Sequence, residues 1–150
     1  MERICIAADS TFDLTPEMVL EHGIEVSASY VRMDDKDYLD YPDLKQSELF
    51  DYFRRAKKLP QTAAANPNDY ETFFKQCLEN HDAVIHIAKS SGMSSCYENA
   101  VVAANGMENV YVVDSLSISS GSALLAMEAA RLKDTMSAKE LVDYLLGYRD

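Results

Sequence analysis

Three stretches of this 150-residue chain crowd hydroxyl side chains into short spaces. They are Asp9-Ser10-Thr11, Ser90-Ser91-Gly92-Met93-Ser94-Ser95, and Asp114-Ser115 followed by Ser117, Ser119, Ser120, Gly121 and Ser122. Thr62 joins them from a loop between two helical patterns. Hydroxyls donate hydrogen bonds without carrying charge, and a helix N-terminus adds unpaired N–H groups and the positive end of a dipole. Together they suit a carboxylate or a phosphate. Capping uses about one hydroxyl per helix, and the second and third stretches each hold several, so the excess points to a ligand. A phosphate loop brings a lysine and several glycines, but neither G-x-x-x-x-G-K-[ST] nor G-x-G-x-x-G occurs. Lys89 is the only cation beside these loops. A singly charged carboxylate needs less compensation and fits better.

Catalysis finds weaker footing. A serine hydrolase needs a nucleophile on a tight elbow, a histidine in reach and an orienting carboxylate. Gly92-Met93-Ser94-Ser95-Cys96 lacks the second glycine of that elbow. His86 lies inside a strand pattern and reads as a packed core residue, while His22 and His81 fall near helix C-termini, where a cation is favourable. Cys96 has no visible base and reads as a small buried hydrophobe. The aspartates at 34, 35, 37, 40 and 43 break the calcium-loop pattern and read as a solvated acidic turn. The expectation is therefore no catalytic residue, no metal and no cofactor.

The hydroxyl stretches leave strands and enter helices. Arg3 to Ala8 is a short apolar run, and Ala83 to Ala88 reads as a strand buried on both faces. Asn109 to Asp114 is another strand, and the alternation from Ile24 to Met33 suggests one more. Asp34 to Asp43 reads as a turn or hairpin. Helices are signalled by Thr15-Pro16, a Ser47 cap, Asn66-Pro67 with Tyr70, Phe73 and Phe74 on one face, and the stretches Ser94–Asn105 and Ser119–Lys133. Ser137-Ala138-Lys139-Glu140 is a capping box that opens a last helix. Alternating strands and helices predict one α/β domain with a mainly parallel central sheet flanked by helices. In such sheets ligands sit beyond the carboxyl ends of the strands.

The length suits a single domain with a sizeable core. Three cysteines without a C-x-x-C pair argue against a disulfide framework and suit a reducing cytoplasm. No apolar run is long enough to span a bilayer, and none opens the chain as a secretory leader would. A net charge of −11 repels nucleic-acid backbones and anionic lipid headgroups.

Five segments, in this order, resemble the DegV family: Ala8-Asp9-Ser10-Thr11-Phe12-Asp13-Leu14; Tyr38-Leu39-Asp40; Pro60-Gln61-Thr62; Ser90-Ser91-Gly92-Met93-Ser94 with Tyr97 and Ala100; and Asp114-Ser115 with Ser119-Ser120-Gly121. The resemblance implies a DegV-like N-terminal lobe over residues 1–150, with the C-terminal lobe of such proteins absent from this chain. It implies binding of a long-chain fatty acid and presentation of it to a fatty acid kinase, with no chemistry by the lobe itself. Thr62 and Ser94 would contact the carboxylate, assisted by Ser91 and nearby backbone amides. Ser10, Ser95 and Ser119 complete the candidate ligand-binding set. Neither nucleic acid nor membrane insertion is expected. The chain departs from the family's patterns at Ala63-Ala64-Ala65, where one expected hydroxyl is lost at Ala63, and at Ser95-Cys96. The competing expectation is a protein-interaction module on the same scaffold that has lost lipid binding.

Overall fold

The computed structural model describes residues 2–150. At its centre is a four-stranded, wholly parallel sheet built from β1 (Ile4–Asp9), β2 (Ile24–Ser27), β6 (Ala83–Ala88) and β7 (Val110–Asp114), in the order β2-β1-β6-β7. Every residue of β1 and β6 is buried, the polar Asp9 and His86 among them. Alternate side chains of β1 enter two separate cores. Ile4, Ile6 and Ala8 meet α1 (Pro16–His22), α5 (Ser120–Leu132) and α6 (Ala138–Tyr148), represented by Val19, Leu125 and Leu141. Cys5 and Ala7 meet α3 (Pro67–Leu78) and α4 (Cys96–Ala104) through Tyr70, Phe74 and Ala100. The result is helix, sheet, helix in three layers.

The helix boundaries follow from local chemistry. Thr15 accepts from the Met18 amide at 3.3 Å, and Gly23 closes α1 in the left-handed region at φ 59°. Asn66 caps α3 through two amides, and Ser137 with Glu140 forms the capping box of α6. The α2 helix (Gln46–Ala56) does not begin at Ser47 as the sequence suggests. Its N-cap is Lys45, whose amide donates to Glu48 at 2.8 Å.

The alternating run from Ile24 to Met33 is not one strand. It breaks after Ser27, and β3 (Tyr30–Met33) leaves for a second, antiparallel sheet with β4 (Lys36–Leu39) and β5 (Gln61–Ala63), ordered β4-β3-β5. Asp34 and Asp35 join β3 to β4, both at positive φ, as a tight hairpin turn requires. Thr62 therefore lies on a strand opposite Val31, not in a loop.

The order β2-β1-β6-β7 carries the chain outward from β1 in one direction and from β6 in the other. The switch point falls between the carboxyl ends of β1 and β6, the place where such sheets open a crevice. On the outer edge of β7, the Asp114 carbonyl accepts a hydrogen bond from Arg149 Nη1 at 2.6 Å. Among the described residues, no helix is long and apolar enough to cross a membrane.

Candidate ligand-binding site

The strand exits are fastened to one another. The Lys89 amide at the end of β6 donates to Asp9 Oδ2 at 2.7 Å, across the switch point. Ser115 N donates to Ala88 O at 3.0 Å, Ser90 N to Ser117 O at 2.9 Å, and Ser119 N to Thr11 O at 3.0 Å. Asp114 Oδ1 accepts from the amides of Ser91 at 3.2 Å and Leu116 at 3.0 Å. The three hydroxyl-rich stretches thus form one surface along the carboxyl edge of the sheet. This much is what the sequence leads one to expect.

Beneath that surface is a buried polar cluster whose pairing the sequence did not reveal. Asp9 is 2% exposed, and its Oδ1 accepts from Tyr70 Oη at 2.6 Å and pairs with His86 Nε2 at 3.2 Å. Burial alone would raise the Asp9 carboxyl pKa. The adjacent His86 and the hydrogen bonds from His86, Tyr70 and Lys89 outweigh burial and hold it below the usual carboxylate range. Burial and the neighbouring Asp9 push the Tyr70 phenol up. His86 is buried, as expected of a core residue, and sits edge-on to the rings of Tyr70, Phe73 and Phe74. Its Nδ1 has no hydrogen-bond partner among the described residues.

Ser10 turns the other way. Its hydroxyl donates to Asp40 Oδ2 at 2.6 Å and accepts the Ser29 amide at 3.3 Å, while Asp40 Oδ1 takes the same amide at 2.9 Å. Burial raises the Asp40 carboxyl, with the hydrogen bonds from Ser10 and Ser29 and the charge of Lys89 opposing. Asp40 therefore ties the second sheet to the exit of β1, which gives the Tyr38-Leu39-Asp40 motif a physical role.

Ser94 donates to Cys96 Sγ at 3.2 Å and accepts the Cys96 amide at 3.3 Å, so it steadies the first turn of α4. Ser95 is the exposed N-cap of α4 and makes no side-chain cap bond; Ser119 occupies the same position on α5, also without one, at φ 57° and ψ −128°. The two helix ends nearest the strand exits are thus left uncapped by side chains at the N-cap position, unlike α1, α3 and α6. Gly121 is required by packing. A Cβ there would lie 1.9 Å from Ser117 Oγ and 2.9 Å from Ser117 Cβ.

Thr62 is exposed and lines a cleft of about 400 Å³ with Tyr30, Arg32, Asp37, Gln61 and Asn66. Arg32 is a cation that the sequence reading missed, because it reaches Thr62 only through pairing of β3 with β5. Asp37 neutralises it through two bonds of 2.7 and 2.8 Å. Arg149 is a second such cation, beside Asp114, so Lys89 is not alone. Thr62 and Ser94 share no direct hydrogen bond. Their segments are joined by Asn99 Nδ2 of α4, which donates to Ala65 O at 2.8 Å.

A three-layer α/β domain with hydroxyls gathered at its topological switch point has the architecture of the doubly wound class. The model of the family described as "Uncharacterised protein, DegV family" matches residues 3–144, and the chain belongs to that family. A DegV domain-containing protein of Caldanaerobacter subterraneus subsp. tengcongensis is 32% identical over 142 residues, covering 93% of this chain and 50% of that protein. The fatty-acid-binding DegV family protein of Thermus thermophilus superposes with a TM-score of 0.88 at 27% identity, over 98% of this chain and 53% of that one. The DegV family protein of Ruminococcus gnavus with vaccenic acid gives 0.85 at 25%, over 97% and 54%. The chain spans about half the length of these relatives.

Proposed function

We propose that this chain binds a fatty acid by its carboxylate at the carboxyl edge of the parallel sheet and acts as a carrier rather than a catalyst. One observation carries the reading: the N-termini of α4 and α5, uncapped by side chains at Ser95 and Ser119, lie beside a surface on which Ser90, Ser91 and Ser115–Ser119 are already held in place. An anionic oxygen pair is the complement of such amides. The fatty acids held by the Thermus and Ruminococcus relatives have that headgroup.

In this reading Thr62 and Ser94 contact the carboxylate, with Ser91 and the first-turn amides assisting and Ser10, Ser95 and Ser119 shaping the surroundings. The acyl chain contributes about 0.8 kcal/mol for each methylene it buries. The part of the relatives that this chain does not span would supply the facing wall, and a fatty acid kinase would be the acceptor. The carrier role is favoured over hydrolysis because the Ser94 hydroxyl engages Cys96, while His86 is sealed against Asp9 and His81 pairs with Cys77 O at 2.9 Å.

Denaturing mass spectrometry of the bacterially produced protein tests this. A co-purified, stoichiometric fatty acid is the expected result. No fatty acid in a protein extended to the full length of its relatives would overturn the reading and favour the protein-interaction alternative.

A further inference from the structure

Hydroxyls and amides can hydrogen-bond a carboxylate, but they do not neutralise it. The strand exits make that a difficulty, because Asp9, Asp40 and Asp114 all stand there in a chain of net charge −11. Each is satisfied from within the fold. Tyr70, His86 and the Lys89 amide serve Asp9. Ser10 and the Ser29 amide serve Asp40, and the amides of Ser91 and Leu116 serve Asp114. None of the three forms an ion pair with a lysine or arginine among the described residues.

Three cations approach this region, and two are engaged. Arg32 is neutralised by Asp37. Arg149 donates to the Asp114 carbonyl at 2.6 Å and lies 3.9 Å from Asp150. Lys89 differs: it is half-buried, yet its ammonium makes no hydrogen bond or ion pair among the described residues. Lys89 is the first residue past β6, and its amide bridges to the last residue of β1, which puts it at the switch point itself. Its neighbour Ser90 is bonded to the Ser117 carbonyl, so Lys89 stands among all three hydroxyl-rich stretches. Its charge is felt at Asp40, where it opposes the effect of burial. Withdrawing an ammonium from water without a partner is unfavourable, and a ligand carboxylate would supply the partner.

We propose that Lys89 is the cation that pairs with the headgroup carboxylate, and that it sets a preference for an ionised fatty acid over an uncharged lipid of the same chain length. This rests on the fatty-acid reading and names the group that gives that site its charge selectivity. The flexible four-carbon stem of a lysine suits a contact made only when the ligand arrives.

Fluorescence titration with cis-parinaric acid and with its methyl ester tests the assignment. The wild-type chain should bind the acid about tenfold or more tighter than the ester. Lys89→Met should abolish that difference by weakening the acid alone, and its unchanged ester binding would also report an intact fold. Lys89→Arg keeps the charge and should stay within about threefold of the wild type for both probes. Lys58→Met removes an exposed lysine away from the strand exits and should alter neither. A Lys89→Met variant that still prefers the acid, or that loses both probes alike, overturns the assignment. So does an equal loss in Lys58→Met, which would mean that only net charge is felt. A wild-type chain that binds neither probe overturns the fatty-acid reading itself, and the role of Lys89 with it.

Discussion

Tyr70 Oη lies 2.6 Å from Asp9 Oδ1, joining positions 61 residues apart inside a core from which water is excluded. The bond fixes the first turn of α3 to the last residue of β1, directly under the strand-exit surface. It decides where the exit of β1 stands relative to that of β6, because the other oxygen of Asp9 holds the Lys89 amide.

Removing the Tyr70 hydroxyl should therefore cost more than an average hydrogen bond. Tyr70→Phe is expected to lower stability in urea unfolding by about 1.5–3 kcal/mol, the range for bonds to a charged group. Asp9→Ala also strands His86 and the Lys89 amide, and should cost about 3–5 kcal/mol.

Asp9 should also shape the acid limb of the stability curve. Its folded carboxyl titrates below the unfolded value. The stabilisation is thus fully present above about pH 3.9, the ordinary aspartate value, and is lost as pH falls from there through the folded pKa. Asp40 is displaced in the opposite direction, so its contribution is fully present below the unfolded value and is lost as pH rises through the folded one. Urea titrations between pH 2 and 7 should show a shallower acid loss for Asp9→Asn and a smaller decline on the rising side for Asp40→Asn.

Alanine is usually a better helix former than glycine by roughly 0.5–1 kcal/mol. Gly121→Ala should nevertheless destabilise by about 1–3 kcal/mol, because its new methyl group overlaps Ser117. Ser117→Gly in the same chain should recover much of the loss. A Gly121→Ala variant with a higher melting temperature would show that the Ser115–Ser119 loop yields.

Thr62→Ala and Ser94→Ala should each weaken fatty-acid binding by about 1–3 kcal/mol in calorimetric titration. They should differ in stability. Thr62 is exposed, so its loss should change unfolding by no more than about 0.5 kcal/mol. Ser94 supports the Cys96 amide, and its loss should cost about 1 kcal/mol. Unchanged binding in both would place the headgroup elsewhere.

The parts of this molecule legible in its sequence are those decided within a few residues. The caps at Thr15, Asn66 and Ser137, and the burial of Ala83–Ala88, are set by neighbours or by a run that is apolar except for His86. The stitched Ser90 and Ser115 loops follow from the alternation of strands and helices. What was hidden depends on distant partners. Nothing local marks the break between β2 and β3, because the apolar alternation runs straight through Ser27-Ala28-Ser29. Asp40 reads as one more acidic residue in a solvated turn until the β3–β4 hairpin lays it against Ser10. Arg32 enters the Thr62 cleft only because two strands 30 positions apart come into register. Tyr70 looks like one member of an apolar stripe, and its hydroxyl finds a partner only once β1 and α3 are packed.

One small bond near the chain's last residues has a broader consequence. Asn109 O accepts from Val84 N, so along β7 the carbonyls of Val110, Val112 and Asp114 point away from the sheet. An open flank of that kind invites a foreign strand, the first step toward aggregation. By holding the Asp114 carbonyl, Arg149 puts a charged, bulky group across one end of this flank. A chain trying to extend the sheet there would first have to displace a guanidinium.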